Sequence, residues 1–543
     1  MYRNAILFWL LCLSAVSGMR AQQQPRLIVG IVVDQMRQDY LSRYYNQFGE
    51  GGFKRLMTQG MQFAYAHYNY IPTYTGPGHS SIYTGTTPYY HGIISNEWYD
   101  KQLRSERYCA QDDTARTAGA DNAAGRMSPR NLLAPTIGDE LRMSNNGRSR
   151  VFGVSVKDRG AILPGGRSAN AAYWYDGATG RFISSSYYFP SLQLPAWVAE
   201  FNARKRPEAL MSGGWDRSPG IDFRNAMPDE GLGESDAFRE GKTTFPHSFQ
   251  HLTEAQRRDL VRVTPFGNEL LADFALELLR QERLGQNGVP DLLAISFSST
   301  DYVGHAYGPN SMEVMDTYIR LDRQIARILT ALDQAVGKGQ YLLFLSSDHG
   351  VKPNEAYLRA NRIFEGTLSS RAVEDTLRKF CAWRFGEAGL IDTVWDNHIY
   401  LSHRTIDRLR LDAALVDREL VRCLRNAFPA MSAIYTKADL NGRTPLRSMS
   451  ALTLNGFHPY RSGDICYELA FNHMSYQMQN GTSHGSPYPY DTHVPMLFYG
   501  WRVNPGRSDE LVYIVDIAPT IANLLGLQAP GATIGVPLIG PGK

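Results

Sequence analysis

"RLIVGIVVDQMR", residues 26–37, is an unbroken apolar run that stops abruptly at Asp34. Such a run, with no polar residue at alternate positions, reads as a strand covered on both faces, the kind found in parallel sheets. Three more stretches behave the same way. "VFGVSVKDRG" (151–160) ends in Lys157, Asp158 and Arg159. "DLLAISFSSTDYVGH" (291–305) ends in Asp301 and His305, and "QYLLFLSSDHG" (340–350) in Asp348 and His349. Helical patterns separate or follow them, as in "MEVMDTYIRLDRQIARILTALDQAV" (312–336) and "VDIAPTIANLLG" (515–526). Strand, helix, strand predicts an α/β fold with a large, mainly parallel central sheet flanked by helices. Ligands of open α/β sheets gather beyond the carboxyl ends of the strands. The acidic, basic and histidine residues of this chain fall at those ends.

Residues 22–543 read as a single catalytic domain with two inserted accessory segments. One, about 160–260, is rich in Gly, Pro, Ser and aromatics with weak periodicity. The other, about 355–480, mixes helical patterns such as "LDAALVDRELVRCLRNAF" with strand-like ones such as "GDICYELAF". Neither a repeat of fixed period nor a low-complexity tract is present. A chain of 543 residues with 43% hydrophobic and 20% charged residues has ample material for a core. Its formal net charge of +3 gives no reason to expect nucleic-acid binding.

The first 21 residues have a different character. "MYRNAILFWLLCLSAVSGMRAQQQPR" has an early arginine, a short apolar run and then small and polar residues. That is the layout of a signal peptide, with cleavage near Gly18 or Ala21, and it predicts export to the periplasm, or secretion. Cys12 lies in the apolar run without a lipobox. No later stretch is apolar enough for a transmembrane segment. Cys109, Cys381, Cys423 and Cys466 remain, scattered and without a C-x-x-C pair, so zinc-finger and thioredoxin readings fail. Their pairing, like the oligomeric state, is left open by the sequence.

The chemistry lies in the strand-end residues. Asp34, Asp301, His305, Asp348 and His349 are joined by His484, in the polar loop "GTSHGSPYPYDTHVPM" before the apolar "PMLFYG". Mixed carboxylate and imidazole ligands suit zinc, and also manganese or iron. Six ligands are too many for one tetrahedral ion and suit two, and two metals about 4 Å apart form a clamp for displacement at phosphorus. Thr75, in "PTYTGPGHSS" (72–81), is followed by Gly-Pro-Gly and a helix-like run. A threonine hydroxyl is a poor nucleophile until metal coordination stabilises its alkoxide. At a helix start, free N–H groups also face a phosphoryl oxygen. Asn96 offers an amide donor. Lys157 and Arg159, two apart at a strand end, are expected on one face, with Asp158 on the other, where they can grip a dianion.

These pieces resemble the alkaline phosphatase superfamily. "PTYTGPGHSSIYTGTTPYYHGIISNEWYD" (72–100) looks like the motif of its nucleotide pyrophosphatase/phosphodiesterase branch, where T-G-x-x-P-x-x-H-G-I-x-x-N follows the threonine of a helix start. "STDYVGHAYGP", "SSDHG" and "SHGSPYPYDTHVPM" match in the expected order. The Lys-x-Arg of "SVKDRGAILPGG" is similar to that of the phosphate-irrepressible alkaline phosphatases, exported monoesterases of that branch. The resemblance implies two zinc ions per chain and Thr75 as nucleophile. It implies that Asp34, Asp348 and His349 hold the zinc that also binds Thr75, and that Asp301, His305 and His484 hold the other. Asn96, Lys157 and Arg159 would contact the phosphoryl group of small phosphate monoesters. His79, His91 and His493 then read as supporting residues. A sulfatase-type C-x-P-x-R motif is absent, "YTGPG" standing in its place. The competing activity is phosphodiester or nucleotide pyrophosphate hydrolysis on the same scaffold. A phosphoethanolamine transferase would be expected to carry membrane helices, and a non-catalytic relative to have lost ligands.

Overall fold

The computed structural model describes residues 24–440, 448–475 and 480–540. The expected signal peptide therefore lies outside the described residues. Ten strands form one sheet, in the order Gly506–Tyr513, Met61–His67, His493–Gly500, Tyr341–Ser346, Leu27–Val33, Asp291–Phe297, Val151–Ser155, Ala171–Asp176, Arg181–Ser185 and Thr117–Ala118. The five strands from Tyr341–Ser346 to Ala171–Asp176 run parallel. Antiparallel pairings flank them on both sides, so the sheet is mixed at its margins.

The central strand shows why its sequence is uniformly apolar. Leu27, Val29, Ile31 and Val33 point into one core, built with the helices Pro265–Gln281 and Met312–Leu332. Ile28 and Val32 point into another, built with Thr75–Thr84 and Ile517–Leu525. Period-2 alternation splits one apolar run between two helical layers. The helix carrying Thr75 thus lies on one side of the sheet, while Val303 of the helix Ser299–Tyr307 packs into the core on the other.

The two stretches read as insertions differ. Within 160–260, Ala171–Asp176 and Arg181–Ser185 belong to the main sheet. All six residues of "AAYWYD" are buried, and their aromatic bulk hides the strand pattern. Further on, Trp215, Phe238, Phe245 and Phe249 join the larger core from segments with little regular structure. Between 355 and 480, an antiparallel sheet of Ile391–Trp395, His398–Leu401, Ile465–Leu469 and Met431–Thr436 packs with the helices Ser370–Phe385 and Ala413–Ala427 around a core of its own. Cys109, Cys381, Cys423 and Cys466 are all unpaired.

One close approach fixes the strand that leads to Lys157. A Cβ on Gly153 would collide with the backbone carbonyl of Ala161 in the following helix. Gly153→Ala is therefore expected to cost about 1–3 kcal/mol, as overpacking usually does, read as a lower melting temperature in scanning calorimetry.

Candidate active site

Three parallel neighbours bring their carboxyl ends side by side. Asp34 follows the central strand, and Asp348 and His349 follow Tyr341–Ser346. Asp301 and His305 lie one turn apart on Ser299–Tyr307, the helix that follows Asp291–Phe297. His484 arrives from the loop ahead of His493–Gly500. Asp34, Asp348 and His349 are fully buried, and Asp301 nearly so.

The histidines are presented in one way. His305, His349 and His484 each spend Nδ1 on a backbone carbonyl, of Thr482 at 2.7 Å, Gly350 at 2.9 Å and Thr73 at 2.8 Å. That orients each ring and turns the Nε2 lone pair toward the carboxylates. His305 Nε2 lies 3.1 Å and His484 Nε2 3.7 Å from Asp301 Oδ1. His349 Nε2 lies 3.4 Å from Asp34 Oδ1 and 3.6 Å from Asp348 Oδ2. Burial, with His349 and His305 nearby, holds His484 well below the usual imidazole range, which favours the neutral ring that metal ligation requires.

Two sets of donor atoms converge closely enough to hold a metal ion: Asp301, His305 and His484, and Asp34, Asp301 and His349. Asp348 borders the second set. Asp34 Oδ1 and Asp348 Oδ2 are buried without a hydrogen-bond partner. A buried carboxylate oxygen in that state is costly, and a cation between the two would satisfy both. The donor set, oxygen and imidazole nitrogen, fits zinc and equally manganese or iron.

Lys157 supplies part of the compensating charge. Its Nζ donates to Asp34 Oδ2 at 2.7 Å and to Asp301 Oδ2 at 2.6 Å. Burial alone would favour the neutral amine, but Asp301 and Asp34 outweigh it and raise the Lys157 pKa. One ammonium does not balance the cluster: burial and the neighbouring Asp348 push Asp34 well above the carboxylate range.

Lys157 and Arg159 do not share a strand face. The strand ends at Ser155, whose Oγ accepts the Lys157 N–H, and a helix begins at Asp158. Lys157 caps that helix and Arg159 lies in its first turn. Arg159 Nη1 donates to Tyr108 Oη at 3.1 Å, while its buried Nε has no partner.

Thr75 is the first residue of the helix Thr75–Thr84, and its Oγ1 stands 3.5 Å from His349 Nε2. Gly76 N donates to Asn96 Oδ1 at 2.8 Å, which leaves the Asn96 amide N–H groups for another acceptor. Gly78 lets the helix meet the loop that carries Asp348: a Cβ there would sit 2.5 Å from the Asp348 carbonyl. His79 joins Thr75 O to Ser296 Oγ and lies 3.3 Å from Asp348 Oδ2. His91 contacts Ser81 Oγ, and His493 donates to Ala64 O while stacking on His67. Two residues not singled out in the sequence also belong here. Gln35 donates to Asp301 Oδ1 at 2.7 Å; its only sequence signal is its place after Asp34. Tyr108 contacts both Asp158 and Arg159, and nothing in its neighbourhood of the sequence points to that.

Residues 28–485 match the family model described as type I phosphodiesterase / nucleotide pyrophosphatase. The chain belongs to this family. It is 37% identical to the alkaline phosphatase PafA of Elizabethkingia meningoseptica over 541 residues, covering 98% of each chain. It is 40% identical to the alkaline phosphatase PhoV of Synechococcus elongatus over 513 residues, covering 94% of this chain and 92% of PhoV. The crystal structure of wild-type PafA superposes with a TM-score of 0.90 at 36% identity, over 96% of this chain and 99% of the other. Likeness of this extent takes in both the main sheet and the smaller one.

Lys157→Ala removes the ammonium from between two buried carboxylates. In metal-stripped protein it is expected to cost about 3–5 kcal/mol, the usual penalty for breaking a buried ion pair. With a divalent cation such as zinc added, the loss is expected to shrink, because bound cations would compensate the same carboxylates. Calorimetry with chelator and with zinc reads both values.

Proposed function

We propose that the protein is an exported alkaline phosphatase that hydrolyses small phosphate monoesters through a phosphothreonine at Thr75, with two zinc ions as cofactors. The observation that carries this reading is the Thr75 hydroxyl at a helix N-terminus, facing a buried cluster of carboxylates and imidazoles. The likeness to PafA and PhoV supports the activity. Asp34, Asp348 and His349 would hold one ion together with Thr75, and Asp301, His305 and His484 the other. Bound metal supplies charge that lowers the pKa of a coordinated hydroxyl and offsets charge building on the phosphoryl and leaving oxygens.

The chain's own residues do the rest. Thr75 Oγ1 attacks phosphorus as the bond to the ester oxygen breaks, and the alcohol leaves with a proton. Water then cleaves the Thr75–phosphate bond, returning the hydroxyl and releasing inorganic phosphate. Two inversions give net retention at phosphorus. The Asn96 amide and the Arg159 guanidinium hold the non-bridging oxygens, and the unpartnered Arg159 Nε is a donor suited to that task. Lys157 adds positive charge beside them. Catalysis here is chiefly positioning and charge stabilisation.

Export is supported by the leader-like first 21 residues, together with the lack, among the described residues, of any helix long and apolar enough to cross a membrane.

The family description favours a second reading, phosphodiester hydrolysis. Charge separates the two: Lys157 and Arg159 reward the extra negative charge of a monoester. The decisive measurement is kcat/KM for an aryl phosphate monoester against the matching diester, on zinc-loaded mature protein. A strong monoester preference is expected; a diester preference would overturn the phosphatase reading. Replacing both Lys157 and Arg159 by Ala is expected to lower monoesterase activity much more than diesterase activity; equal losses would sink the charge argument. Thr75→Ala is expected to abolish turnover with zinc content unchanged, measured by metal analysis alongside the assay. Substantial residual turnover would remove Thr75 as nucleophile.

A further inference from the structure

A hairpin of the smaller sheet reaches the active-site segments. Its strands Ile391–Trp395 and His398–Leu401 are joined by Asp396 and Asn397 alone. Both have left-handed backbones, φ 47° and 62°, as a tight two-residue hairpin loop requires, and Asp and Asn tolerate this better than most residues.

That tip reaches both segments that carry the phosphoryl-handling groups. Asp396 Oδ1 accepts from Tyr74 Oη at 2.8 Å, and Asp396 Oδ2 accepts from Ser95 Oγ at 2.7 Å. Tyr74 immediately precedes Thr75, and Ser95 immediately precedes Asn96. Next to Asp396, Trp395 Nε1 donates to Glu97 O at 3.3 Å, on the far side of Asn96. The same two segments are tied again by Gly76 N donating to Asn96 Oδ1. Tyr74 also caps the Thr75 helix with an extended backbone; its ring packs edge-on against His484, with centroids 5.4 Å apart, and its hydroxyl is held by the hairpin.

We infer that Asp396 is a positioning residue for phosphoryl transfer, one carboxylate that sets the spacing between the Thr75 hydroxyl and the Asn96 amide from a separate sheet. The inference rests on the roles of Thr75 and Asn96 given above. A carboxylate suits the task because it accepts from two hydroxyls at once on two oxygens of fixed separation. Errors of a fraction of an ångström between a nucleophile and its charge-stabilising donor are expensive in rate.

Asp396→Gly removes the carboxylate and suits the left-handed backbone. With an aryl phosphate monoester, its kcat/KM is expected to fall by about 30-fold, mostly in kcat, the scale on which misplaced reacting groups are felt. In an Asn96→Ala background the same change is expected to cost about threefold or less, because the group it orients is already gone. Asp396→Asn keeps an acceptor for one hydroxyl and offers a donor to the other, and recovers most of the loss. Ser95→Ala leaves the hairpin whole and carries the same comparison should Asp396→Gly not fold: its smaller loss also disappears in Asn96→Ala. An equal fold-loss in both backgrounds, as a purely structural role would give, overturns the inference, as does full activity in Asp396→Gly. A silent Asn96→Ala overturns the functional reading of that residue, and the inference falls with it.

Discussion

Carboxylates do not lie buried side by side unless something holds their charge. In this protein the carboxyl ends of three parallel strands force Asp34, Asp301 and Asp348 together, all of them buried. Each charge brought out of water costs several kcal/mol if uncompensated. Much around the site answers that cost. Lys157 bridges two of the carboxylates, Gln35 donates to one, and three imidazoles are turned by backbone carbonyls so that Nε2 faces the cluster. The remaining deficit, written in the unpartnered oxygens of Asp34 and Asp348, is one that a bound cation would meet. Stability and chemistry share one electrostatic problem here.

Thr75, the proposed nucleophile, meets a separate problem, that of access. Thr75 lies at the start of a helix packed on the opposite side of the sheet from the core that receives Ser299–Tyr307. Gly78 lets that helix press against the Asp348 backbone, so the hydroxyl reaches the cluster from the side. Asn96 is tied to the same helix start through the Gly76 N–H. Thr75 and Asn96 therefore form a unit that is anchored to the Asp348 loop and braced from outside by the smaller sheet.

Much of this was legible in the sequence, for definite reasons. Strands covered on both faces read as continuous apolar runs, so the parallel centre of the sheet could be traced from "RLIVGIVV" and its counterparts. Acidic and histidine residues are conspicuous where such runs end. What escaped depends on events the local sequence does not signal. Nothing in "SVKDRG" tells the last residues of a strand from the first of a helix, so Lys157 and Arg159 were expected on one face. The strand ends at Ser155, whose hydroxyl takes the Lys157 N–H, and Arg159 already belongs to the next helix. Ala171–Ser185 looked like insertion because aromatic residues blur the strand pattern. Gln35 meets Asp301 across 266 residues, and no local pattern encodes a contact of that range.

The order of strands has a consequence for how the chain comes to life. The central strand, Leu27–Val33, lies near the start of the sequence, yet its two neighbours are Asp291–Phe297 and Tyr341–Ser346. A chain synthesised or threaded through a pore from its amino end exposes its most apolar strand first and must wait some hundreds of residues for either partner. Pairings of such separation are slow to form and leave sticky edges uncovered meanwhile. The sheet is completed only when its later strands are in hand, and until then "LIVGIVV" is an apolar strand with both edges open.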